Sequence, residues 1–174
     1  MSVENDSYLS ELRRYGRESL TFFSNQNKPE RERCVVRAFF RALGIPFNES
    51  DLLVQQEEPI DVAALSCRFQ VTEVLDPDRK RQREYAERLA RVESTQDAAD
   101  LLEPWKNPRP LSYSEIAEGV LSRLAHKTPQ LGIDALVYFN RRGTFPDIRS
   151  QIPDLSRFEL PAWRSISVVS LPIA

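Results

Sequence analysis

The stretch from Glu58 to Tyr85 constrains this chain's fold more than any other. Two runs, Pro59–Leu65 and Cys67–Leu75, read as strands by their period and composition. Asp76, Pro77 and Asp78 stop the second, and a basic helix follows at once. With Leu65 and Ser66 as a two-residue turn, the runs pair as an antiparallel hairpin that sets Asp61 opposite Gln70. Asp61 and Ala63 then share a face with Arg68, Gln70 and Thr72. Ile60, Val62, Phe69 and Val71 turn the other way, into a core. Glu73 joins that second face unless a bulge re-aims it.

The flanking elements follow from periodicity. Residues 1–25 carry Leu9, Leu12, Tyr15 and Leu20 among charged positions. This predicts a helix with a loose tip at 1–6, against which Gly16 argues. Asn27, Pro29 and Glu30 open a second helix, in which Val36, Phe39, Phe40 and Leu43 fall at helical spacing and Gly44 is the stop. Arg33, Arg37 and Arg41 recur at i, i+4 and i+8, as a solvated face or as a phosphate-facing stripe. Leu52–Val54 is a first strand or a helical turn.

After the hairpin, Asp76 is placed to cap and Pro77 to start a helix over Asp78–Val92. Tyr85, Ala86, Leu89 and Val92 form its apolar stripe. Arg79, Lys80, Arg81, Arg83, Arg88 and Arg91 surround it, opposed only by Glu84 and Glu87. A short helix over 94–102, a proline-broken segment and a Ser112–Glu115 capping box come next. Ile116, Val120, Leu121 and Leu124 supply the buried side of the capped helix, and His126 lies at its end. Ile133–Phe139 and Ile166–Leu171 are further strands, with a turn at 140–143 and irregular chain over 145–161. The expected class is α/β of mixed α+β type: a small mixed sheet flanked by helices. One domain spans 1–174, with an N-terminal helical extension at 1–26.

Composition narrows the function. Over 174 residues, 41% hydrophobic and 29% charged content are those of an ordinary globular protein, and the net charge of −2 gives no global basic field. A nucleic-acid partner would have to use a local patch. No apolar run approaches a membrane span, and the N-terminus lacks a secretory pattern, so the expectation is a cytoplasmic protein. Cys34 and Cys67 have no CxxC spacing, and one histidine makes a cysteine–histidine zinc site improbable. Neither a P-loop nor a dinucleotide fingerprint is present.

Asp61 is the anomaly, because an acid within an apolar strand is costly unless paired or metal-bound. A salt bridge with Arg68 or a helix arginine is one reading. The other is an oxygen-rich site of Asp61, Gln70 and Glu73 suited to Mg²⁺. The second reading gains from a resemblance. Pro59-Ile60-Asp61 and Gln70-Val71-Thr72 stand where the restriction-endonuclease-like (PD-(D/E)xK) superfamily has its Pro-Asp and Glu/Asp-x-Lys motifs. Over residues 28–172 the chain resembles that superfamily and, more closely, a small bacterial family in it described as endonucleases.

The resemblance implies a three-layer core and Mg or Mn as cofactor. It implies metal ligands among Asp61, Glu73 and Glu32 (Glu30 being the alternative on that helix), and catalytic roles for Asp61, Gln70, Thr72, Glu73 and Lys80. It further implies DNA contacts from Arg79, Lys80, Arg83, Gln82 and Tyr85, the last two matching a Gln and a Tyr seen in recombination-type exonucleases. Thr72 replaces the motif lysine and Gln70 the motif acid. Two functions therefore stand side by side: a metal-dependent nuclease or phosphodiesterase acting on DNA, and an inactive relative that binds nucleic acid or protein.

Overall fold

The hairpin forms in the register that alternation demands. Val62 pairs with Phe69, Ala63 with Arg68 and Ala64 with Cys67, around a turn at Leu65 and Ser66. Leu65 takes the left-handed conformation at φ 54. In the computed structural model, residues 3–55, 58–76, 78–103, 107–127, 131–141, 143–154 and 163–170 are described. The elements are α1 (Val3–Phe22), α2 (Lys28–Ala42), β1 (Leu52–Val54), β2 (Val62–Ala64), β3 (Cys67–Leu75), α3 (Arg81–Ser94), β4 (Arg109–Leu111), α4 (Tyr113–Leu124), β5 (Ile133–Asn140), β6 (Thr144–Pro146) and β7 (Trp163–Ser170). Short 3-10 turns lie at Glu49–Asp51 and Ala98–Leu101.

Contacts divide the chain into two units, Met1–Arg31 with Asp78–Lys106, and Glu32–Pro77 with Asn107–Ala174. The second holds a five-stranded sheet in the order β1-β2-β3-β5-β7. The β1, β2 and β3 strands are antiparallel neighbours, whereas β3, β5 and β7 run parallel. This is a mixed sheet with a layer of helix on each face. Val35, Val36 and Phe40 of α2 pack on Val62, Phe69, Val71, Leu136, Tyr138 and Val169. Val120 and Leu124 of α4 pack on Val74, Ala135 and Val137 opposite. β5 is central, and Ile133 to Tyr138 are all buried, hence its near-continuous apolar run.

The first unit joins α1, α3 and the 3-10 turn at 98–101. Gly16, which argued against a helix, lets α1 come close to α3: a Cβ there would lie 3.0 Å from Leu89 Cδ1. Phe23 is sandwiched into the same packing, with Tyr85 stacked on it at 4.8 Å and the Arg81 guanidinium 4.4 Å from its centroid. Arg17 pairs with Glu93, and Arg13 donates to the Thr95 carbonyl.

Several boundaries differ from expectation. The tip of α1 is helical from Val3. α3 starts at Arg81 rather than Asp78, because Asp78 takes φ 61, outside the helical region. Asp76 therefore does not cap it; Lys80 occupies the N-cap without a side-chain bond, and Pro77 lies outside the described residues. Asn27 donates its side-chain amide to the Thr21 carbonyl. β4 and β6, a parallel pair of three residues each, fall where a break, a turn and irregular chain were read. Asp97 caps the 98–101 turn by accepting from Ala99 N–H at 2.9 Å.

Candidate functional site

The hairpin brings Asp61 opposite Gln70, as the register required, but the carboxylate serves the backbone. β2 begins at Val62. Beyond that point the Val71 N–H donates to Asp61 Oδ2 at 2.7 Å. The Asp61 N–H donates to the Phe69 carbonyl and its own carbonyl accepts from Gln55 N–H, both at 2.9 Å. Asp61 thus closes the end of the β1–β2–β3 ladder.

Gln70 and Thr72 point toward α4, on the side of Val74. Thr72 is 3% exposed, whereas Gln70 is partly exposed. The Gln70 Oε1 and Thr72 Oγ1 atoms are buried with no hydrogen-bond partner among the described residues. The physical reason is α4, whose Val120 and Leu124 cover that face. No bulge interrupts β3 along β5, so Glu73 stays on the α2 side. There Asn140 Nδ2 donates to Glu73 Oε1 at 2.8 Å. Glu32 is buried one turn ahead of Val35 and Val36, on the sheet-facing side of α2.

The set does not fit a divalent cation of the expected kind. Asp61 is bound to a backbone N–H, Thr72 is buried on the α4 side, and Glu73 faces the other way. Among the described residues no three His, Cys, Asp or Glu side chains form a group that could hold a metal ion.

The basic helix is largely neutralised within its own unit. Arg79, with its side chain only 8% exposed, is held by Glu84 through bonds of 2.9 and 3.1 Å. Arg83 pairs with Glu87 at 2.7 Å, and Arg91 with Glu103 at 3.1 Å. Tyr85 is half-buried, and burial pushes its phenol above the usual value. Its ring stacks on Phe23. Leu89 and Val92 are buried, as the apolar stripe required. Lys80, Gln82, Arg83 and Arg88 remain exposed.

Sequence reading passed over Asp134, a buried acid inside the apolar run of β5. Arg164 grips both of its oxygens and Ser165 Oγ donates to it at 2.8 Å. The same arginine reaches the Ser66 carbonyl at 3.3 Å, tying β7 to the hairpin turn. Its signal was an acid breaking the run Ile133–Phe139, the same kind of anomaly that drew attention to Asp61.

Residues 4–173 match the family described as "Putative endonuclease, protein of unknown function (DUF1780)". The chain belongs to this family. DUF1780 therefore covers both units, the sheet and the α1–α3 pair. No curated protein matches the chain. A solved structure from Pseudomonas aeruginosa strain PAO1 is similar, with a TM-score of 0.57 and 25% identity over 94% of this chain and 79% of that one. That protein is described as one of unknown function in the monooxygenase superfamily. Among the described residues of this DUF1780 member, no helix is long and apolar enough to cross a membrane.

Proposed function

We propose that this chain is a degenerate PD-(D/E)xK protein that engages DNA through its surface and does not cleave it at the hairpin. The observation that carries this reading is Thr72. It stands where the superfamily places a water-positioning lysine, and it is 3% exposed with its hydroxyl buried. A buried hydroxyl under an apolar helix can neither hold nor deprotonate a water that attacks a phosphodiester. The fold-level argument is the order of elements: a helix, the Asp61 hairpin, a crossover and parallel strands. Binding draws support from exposed Lys80, Arg83 and Arg88 on α3, which suit sequence-tolerant contacts to phosphates.

The second reading is an active endonuclease that uses Mg²⁺ or Mn²⁺ at residues other than this set. The family description favours it. One experiment separates the two. Supercoiled and linear DNA are incubated with the protein in Mn²⁺, in Mg²⁺ and in excess chelator, while binding is titrated in parallel at two salt concentrations. The expected result is binding that weakens steeply with salt, is reduced by joint Lys80→Ala, Arg83→Ala and Arg88→Ala changes, and leaves the DNA intact. Nicking that requires Mn²⁺ or Mg²⁺ and is abolished by excess chelator would establish the nuclease reading instead.

A further inference from the structure

Resting on the nucleic-acid reading above, we propose that Arg33, Arg37 and Arg41 of α2 form a second stripe for a phosphodiester backbone, masked by Glu49. The three arginines lie along one side of α2, about 6 Å apart per step of four residues. The adjoining side of the helix is committed to the sheet through Val35, Val36 and Phe40. The stripe already holds an anion. Arg37 takes both oxygens of Glu49 side-on, Nε to Oε1 at 2.8 Å and Nη2 to Oε2 at 2.9 Å. Arg33 Nη2 donates to Glu49 Oε2 at 3.2 Å and to the Glu49 carbonyl at 3.0 Å.

A planar guanidinium fork closing on two oxygens of one anion is the geometry that also takes phosphate. The neighbouring Arg37 Nη1 is steadied by Cys34 Sγ at 3.1 Å. Glu49 sits on a short 3-10 turn fixed by Asp51, whose carboxylate accepts from Asn48 N–H at 2.7 Å. Its side chain is 51% exposed, so an incoming anion can reach the same fork. The Glu49 carboxyl is held below its usual value, first by the Arg37 hydrogen bond and, among further causes, by the charges of Arg33 and Arg41. Arg41 acts through charge across the solvent-facing side. Three guanidiniums spread over two helical turns exceed what one free phosphate can engage, and they match an extended polyanion.

The test is a fluorescence-anisotropy titration of a short labelled duplex at about 50 and 200 mM salt. It uses the full chain and its Glu49→Gln, Arg41→Gln and Glu118→Gln variants. Glu49→Gln is expected to tighten binding about 3- to 10-fold and to steepen its salt dependence, because released arginines add phosphate contacts. Arg41→Gln leaves the Arg37–Glu49 pair in place and is expected to weaken binding about 2- to 5-fold, with a shallower salt slope. Binding by Glu49→Gln alone, with none by the unaltered chain, also supports the mask. Equal affinity and slope for Glu49→Gln and the unaltered chain overturn the stripe while leaving DNA binding standing. So does equal tightening by Glu118→Gln, which removes the same charge from α4. Failure of every protein to bind at the lower salt overturns both the stripe and the reading beneath it.

Discussion

Because β2 begins only at Val62, the Val71 N–H on β3 is met by a side-chain oxygen, that of Asp61. Truncation would leave that half-buried donor unsatisfied, at a cost of about 1–3 kcal/mol. Asp61→Ala is therefore expected to lower the urea midpoint of unfolding, and Asp61→Asn, which keeps an acceptor oxygen, to restore most of it. An Asp61→Ala protein as stable as the unaltered chain would show that the bond contributes nothing. Asp61 fills no core volume, and its side chain acts on the fold through directed bonding to the Val71 N–H.

Among elements, α4 has the most legible start. Ser112 Oγ accepts from Glu115 N–H at 3.2 Å and the Glu115 carboxylate accepts from Ser112 N–H at 3.0 Å, the capping box read from the sequence. Arg109, from β4, adds a bond to Glu115 at 2.6 Å. That bond first, then those from Ser112, bring the Glu115 carboxyl down from 4.5 to about 2. Its folded value is depressed, so its contribution is complete above 4.5, declines as pH falls, and is gone below about 2. Urea unfolding of the chain and of Glu115→Gln should differ at neutral pH and converge toward pH 2. A gap that persists at the acid end would remove the charge from the explanation.

The hairpin was legible for the same reason as the cap: a short-range pattern set it, and period two leaves one register. The start of α3 was not, because Asp-Pro-Asp reads equally as cap or as turn and the positive φ of Asp78 decides it. β4 and β6 were unreadable, since three-residue strands exist only through each other. The burial of Thr72 was hidden too. Whether a strand's second face meets water or a helix depends on where α4 packs, and no residue of β3 encodes that.

For the whole molecule, burial is uneven between the two units. In the sheet unit, Ala135, Leu136 and Val137 are fully buried and covered on both faces. In the helical unit, the buried apolar residues among those described are Leu9, Phe23, Leu89 and Val92. Local opening free energies follow buried apolar contact. Amide exchange should therefore be slowest in β5, and faster by orders of magnitude in α1 and α3. Equal protection of α1 and β5 would mean that the chain opens as one cooperative body.

The α1–α3 pair also has a history written into its order along the chain. α1 is made before its partner α3, which begins about sixty residues later in the chain. At ordinary rates of synthesis that interval is about 3–12 s. For that time Leu9 and the flank around Gly16 have no α3 to cover them, while the β1–β3 hairpin region is made in between. For that interval the nascent chain therefore carries an unpartnered amphipathic helix, the kind of segment on which holding chaperones act.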